Sequence, residues 1–191
     1  MKTRAQTMLS TTLCLLLLSA GAADDSPTAT HNKLDALFGA LIDGGEWRTP
    51  NPNYETGSPA PSEFILRYRW GPHEQHMVGQ LLGHFETKDG SEERLFWSLY
   101  AIHNPVTDEV QVSQIGANGA LAEGRIEMSD DGKHIIEQTL YGPDGSTKEL
   151  RHEETFSTDR ESYTSDVFER DESGGWRKIR EWTWTREASS P

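Results

Sequence analysis

Three groups of residues have types and spacings suited to chemistry. His152 and Glu154 stand two apart in Leu150-Arg151-His152-Glu153-Glu154, and Arg180 lies four residues after Trp176. A histidine base, a carboxylate partner and an arginine facing developing negative charge would suit isomerisation, cyclisation or hydrolysis. Two residues along a strand span about 6.5 Å, however, too far for a direct hydrogen bond between that histidine and carboxylate without adjustment. The second group is His73-Glu74-Gln75-His76. Histidines three apart share one face of a helix and could bind a metal there. Between Gly71-Pro72 and a strand, the same spacing sends them to opposite faces, and there is no H-E-x-x-H. The third, Asp130-Asp131-Gly132, begins like a calcium loop but has no glutamate at its twelfth position, so it reads as a hairpin turn. No G-x-S-x-G, phosphate-binding loop or dinucleotide fingerprint occurs. The sequence therefore predicts no metal site and no cofactor.

The elements that would position these residues are almost all strands. Runs at Phe64–Trp70, Met77–Glu86, Leu95–Ile102, Val110–Ile115, Leu121–Met128, His134–Tyr141, Lys148–Phe156, Tyr163–Phe168 and Trp176–Arg186 recur every 10–12 residues. Turn chemistry such as Asp89-Gly90, Asn118-Gly119, Asp131-Gly132 and Gly174-Gly175 separates them. Short turns join only antiparallel neighbours, and a meander of eight or more strands removes its exposed edges by closing on itself. A two-layer sandwich is the alternative. Ahead of the strands, Leu34, Leu37, Phe38 and Leu41 fall at helical spacing between Asn32, a capping residue, and Gly44-Gly45, a stop. One apolar stripe of that size must be buried against something larger.

The 191 residues carry 18 Lys+Arg against 31 Asp+Glu, a formal charge of −13. So acidic a chain is unsuited to nucleic acid or anionic lipid, which need clustered cations. Lys2 and Arg4 precede an apolar stretch from Met8 to Leu18 and an Ala20-Gly21-Ala22 cleavage pattern. That stretch is shorter than the ~20 residues of a membrane span. The expectation is a signal peptide over 1–22, a flexible leader over 23–31 and one domain over 32–187, in a periplasmic or secreted protein. The single cysteine, Cys14, lies within the apolar stretch, preceded by Leu13 rather than a small residue, so it does not read as a lipidation site. Removing residues 1–22 leaves a charge of −15 and no cysteine, hence no disulfide and no thiol chemistry.

Gly45-Glu46-Trp47 opens the strand region, and Trp182, Trp184 and Arg186 lie in the last strand. This resembles the lipocalin-like (calycin) barrels, in which a G-x-W of the first strand packs against a basic residue of the closing strand. The stretch from Trp97 to Arg125, with Tyr100-Ala101-Ile102-His103-Asn104-Pro105, Gly116-Ala117-Asn118-Gly119 and Gly124, is similar to a bacterial exported lipocalin-like family of unknown function. So are Gly175-Trp176 and Trp182. The likeness runs from about residue 34 to 186. It implies an all-β, antiparallel up-and-down barrel of about 8–10 strands, with one short N-terminal helix covering an end and a small ligand inside.

Period-two alternation then groups the interior candidates. Leu150, His152, Glu154 and Phe156 share a face; so do Trp176, Lys178, Arg180, Trp182 and Trp184; so do Leu95, Trp97, Leu99 and Ala101. Tyr68, Trp97, Gln114, Gln138, His152, Glu154, Arg180 and Trp182 are the expected ligand-binding residues, polar groups set among aromatic walls. Inside a barrel, Glu154 and Arg180 would either neutralise each other as a bracing pair or meet a ligand. The leading expectation is an exported protein binding a small hydrophobic or aromatic molecule. The alternatives are an enzyme using His152, Glu154 and Arg180, and a non-catalytic envelope protein that interacts through its acidic outer wall.

Overall fold

Where the sequence alternates apolar and polar residues the chain is extended, and where Asx-Gly pairs interrupt it the chain reverses, with Gly119 and Gly132 at φ of 87° and 80°. A computed structural model describes residues 29–187. Ten strands follow one another: β1 (Glu46–Pro50), β2 (Glu63–Trp70), β3 (His76–Thr87), β4 (Gly90–Asn104), β5 (Glu109–Gly116), β6 (Leu121–Met128), β7 (His134–Tyr141), β8 (Thr147–Phe156), β9 (Ser162–Arg170) and β10 (Trp176–Glu187). Each pairs antiparallel with its neighbours in sequence, and β10 returns to pair with β1, so the sheet closes into a barrel. The signal-peptide reading, Cys14 and residues 23–28 of the expected leader lie outside the described residues.

The helix α1 (Ala29–Asp43) begins three residues before the expected cap at Asn32. The additional turn is held by tertiary contacts that propensity does not register: the Thr30 hydroxyl lies 3.2 Å from His103 Nδ1, and the His31 ring packs 5.0 Å from Trp70. Leu34, Leu37, Phe38 and Leu41 are all buried against one end of the barrel. The C-terminus of α1 is tied to the closing seam. Arg186 of β10 donates to the carbonyls of Asp43 (3.0 Å) and Gly44 (3.2 Å), where an arginine satisfies orphan helix acceptors. Trp47 of β1, directly opposite Arg186, is fully buried and donates its indole N–H to Leu41 O at 2.9 Å. A Cβ at Gly44 would lie 2.5 Å from that indole, so only glycine fits beside it. On the outer wall, Arg48 and Arg67 bind Glu46, Glu63, Glu93 and Glu187 across β10, β1, β2 and β4.

Two bulges change which way side chains face. Between β3 and β4 the register shifts at Leu81/Leu82, and Phe96 is the surplus residue. Phe96 turns in against Phe64 (centroids 5.7 Å), whereas Leu95 pairs with Leu82 and is 41% exposed, so it leaves the inner face expected for it. Between β9 and β10 the register shifts between Lys178 and Arg180. Arg180, Trp182 and Trp184 share a face as expected, but Trp176 and Lys178 are carried to the outer wall. There the Arg170 guanidinium lies over the Trp176 ring at 4.7 Å and Lys178 binds Asp166 at 2.7 Å.

Candidate functional site

The inner-face side chains are arranged in levels from the helix outward. At the floor, α1 meets Trp47, Tyr163, Trp184, Met77, Ala101 and Val110, all nearly or fully buried. Trp47 packs edge-on against Tyr163 (5.1 Å) and Phe156 (6.3 Å). This half of the barrel is filled.

Just above the floor is a set of polar groups that, among the described residues, have no permanently charged partner of opposite sign. Glu154 is 8% exposed, and its Oε2 lies 4.0 Å from Nδ1 of His134, itself buried. Burial raises the Glu154 carboxyl to about 7 and lowers His134 to about 4. Near neutral pH this is an uncharged imidazole beside a partly protonated carboxyl rather than an ion pair. Tyr68 and Tyr163 bring their hydroxyls close enough for each to influence the other, and burial raises both phenols. A void of about 30 Å³, room for one water, lies among Phe38, Leu41, Tyr68, Leu99, Gln114 and Glu154. The Tyr68 ring lies flat across β3 because position 79 is glycine; a Cβ there would sit 2.8 Å from the ring.

At the end opposite α1 the barrel is hollow. A cavity of about 460 Å³ is walled by Phe64, Phe96, Trp97, Trp182 and Trp184, with Leu81, Leu140, Leu150 and Val167 between them. Phe64 packs edge-on against both Trp182 (5.4 Å) and Phe96 (5.7 Å), which fixes that wall. Gln114 donates to Gln138 Oε1 at 3.0 Å, while Gln138 Nε2, on a residue 5% exposed, has no acceptor. His152 lines the same space, and burial lowers it to about 4, so it is neutral. The mouth carries Lys148, Glu169, Ile179 and Arg180. Lys148 binds Glu169 at 2.9 Å, and the Arg180 guanidinium stands 5.2 Å from the centre of the Trp182 ring.

Of the residues expected from sequence, Trp97, Gln114, Gln138, His152, Arg180 and Trp182 line this cavity, and Tyr68 and Glu154 line the smaller void below it. The interior pairing of Glu154 with Arg180 does not form. Glu154 sits in the cross-strand row of Ser165 and Trp182, whereas Arg180 sits with Val167 and His152, nearer the mouth. The histidine that approaches Glu154 is His134, not His152. Sequence reasoning passed over His134, although it shares the parity of Ile136, Gln138 and Leu140. Tyr163, with the parity of Val167, was likewise missed. Phe96 left no periodic signal, because a bulge places it. His73 is exposed in the 3-10 turn (Pro72–Glu74), and the His76 ring rests on Gly71, so the two do not converge. Among the described residues no group of three or more His, Cys, Asp or Glu is arranged to hold a metal ion.

Compared with protein-family models and with curated proteins, the chain matches none.

Proposed function

We propose that this chain is an exported, lipocalin-like binding protein that holds a small hydrophobic or aromatic molecule inside its barrel. The observation that supports this most directly is the 460 Å³ cavity with five aromatic side chains in its walls, placed above a tightly filled floor. A chain that needed only stability would gain by filling that volume, since packing in interiors is dense and voids are costly. The pairing of Trp47 with Arg186 beside the helix end supports the lipocalin-like relationship. The basic n-region, short apolar stretch and Ala20-Gly21-Ala22 support export. Turnover by the cavity residues has less support, because the histidine in the cavity, His152, is not the one that approaches Glu154.

Solvent extraction of the purified protein followed by mass spectrometry tests the binding reading. A stoichiometric small molecule, with a change in tryptophan emission on its removal and return, is the expected result. A clean extract from a protein whose tryptophan emission ignores a broad ligand panel would overturn it. Export has its own test: when the full chain is produced with its N-terminus intact, the intact mass of the exported product should correspond to a start near Ala23.

A further inference from the structure

The charges around the cavity indicate the chemistry of its occupant, an inference that rests on the binding reading above. We propose that the cavity takes an amphipathic anion, with its apolar body among the aromatic walls, its carboxylate-type head at Arg180 in the mouth, and a hydrogen-bond acceptor at its inner end against the Gln138 amide.

Three charged side chains line the cavity: Lys148, Glu169 and Arg180. Glu169 is engaged by Lys148 at 2.9 Å and by Arg177 at 3.9 Å. Arg180 has no carboxylate within ion-pair distance among the described residues, although the chain carries 31 Asp+Glu. In so acidic a protein, a cavity mouth bearing an uncompensated guanidinium is a local reversal of sign. The Arg180 guanidinium stands over the Trp182 ring at 5.2 Å and makes no hydrogen bond or ion pair among the described residues, so its N–H donors are available to a planar oxyanion. An ammonium head would find the opposite conditions: Arg180 repels it, and the mouth carboxylate is already engaged twice.

The inner end has a different requirement. The Gln138 carbonyl is occupied by Gln114, while its buried N–H₂ lacks an acceptor among the described residues, a standing cost that an ether, carbonyl or hydroxyl oxygen of the occupant would remove once the amide turns toward the lumen. No cation accompanies it there. His152 is neutral, and the void below is lined by the Glu154 carboxyl and the Tyr68 phenol, neither of them a cation. A charge at the inner end would be desolvated without compensation, so the occupant enters with its charged head facing out.

Four probes with one body test this by tryptophan quenching in the full-length protein: 2-naphthoate, 2-naphthamide, 2-naphthylmethylammonium and 6-methoxy-2-naphthoate. Naphthoate should bind about tenfold tighter than the ammonium, with the advantage shrinking at high salt. Arg180→Gln should remove about tenfold of naphthoate affinity and leave naphthamide within about twofold, and Arg180→Lys should restore part of the loss. The methoxy oxygen should add severalfold affinity that Gln138→Leu removes. Equal binding of acid and ammonium, or equal effects of Arg180→Gln on acid and amide, would overturn the anionic head. A methoxy group that gains nothing would overturn the inner acceptor. If no probe binds and the protein also extracts clean, the binding reading itself fails, a result distinct from binding without charge preference.

Discussion

The helix end and the hairpin end of the barrel are made from the same ten strands, yet they use their interiors differently. At the helix end, four apolar residues of α1 meet Trp47, Tyr163 and Trp184, and large side chains point into the middle until it is full. At the hairpin end the rings lie along the wall. Phe96 lies over Gly83, and Trp97 lies beside Gly116, where an added Cβ would approach the rings to 2.5 Å and 3.3 Å. Small inner-face positions let flat side chains lie against the sheet, leaving the lumen open. The polar groups divide in the same way. Burial pushes Glu154 and His134, near the floor, toward their uncharged forms, whereas Lys148, Glu169 and Arg180 stand at the mouth. Stability therefore resides mainly in the first half and is relaxed in the second.

Substitutions can break that contrast. Trp47→Ala should have the largest effect, a loss of about 3–5 kcal/mol in urea unfolding, because it removes a fully buried indole and its hydrogen bond to α1. Next is a pH effect at the floor. Burial raises Glu154 from its ordinary 4.5 to about 7 in the fold, where it faces His134, Tyr68 and Tyr163. Between those values the folded state binds the extra proton, so this contribution is complete below about pH 4.5 and is lost as pH rises through 7, a change on the order of 3 kcal/mol at most. His134 and His152, lowered from 6.5 to about 4, act in the opposite direction: their contribution is present above 6.5 and lost as pH falls through 4. Glu154→Gln isolates the carboxyl. Relative to the parent, its stability should improve by up to that amount between pH 5 and pH 8; a constant offset across that range would show that Glu154 is not held protonated.

Trp182→Ala, in the hollow half, should cost only about 1–2 kcal/mol, because the ring is partly exposed and faces existing space, while binding of aromatic probes is lost. If it destabilises as much as Trp47→Ala, the proposed division of labour is wrong. Smallest of all should be Arg48→Gln in the outer seam network, below about 1 kcal/mol and vanishing in high salt, as measured by thermal unfolding.

Much of this was legible in the residues. Alternation separates wall from interior for Tyr68, Trp97, Gln114, Gln138 and His152, and turn glycines mark most reversals. Height within the barrel was not legible. Parity says that Glu154 and Arg180 both face inward, but the stagger between strands, which a single chain does not state, puts one near the floor and the other at the mouth. Nor were the bulges, since the surplus at Phe96 and the shift near Ile179 look like uninterrupted strand and yet reverse the orientation of Leu95, Trp176 and Lys178. The start of α1 depended on His103 and Trp70, which are distant in sequence.

With α1 stoppering one end, the barrel formed by the described residues is a flask rather than a pipe, so on the proposed binding reading whatever enters would leave by the same doorway. Exchange is then strictly sequential. A newcomer cannot push from behind and must wait for the lumen to be vacated, so the departure rate of one guest should not depend on the concentration of the next. On that reading the Arg180–Trp182 pair, which lines the cavity at its mouth, would meet every molecule twice, once on arrival and once on departure.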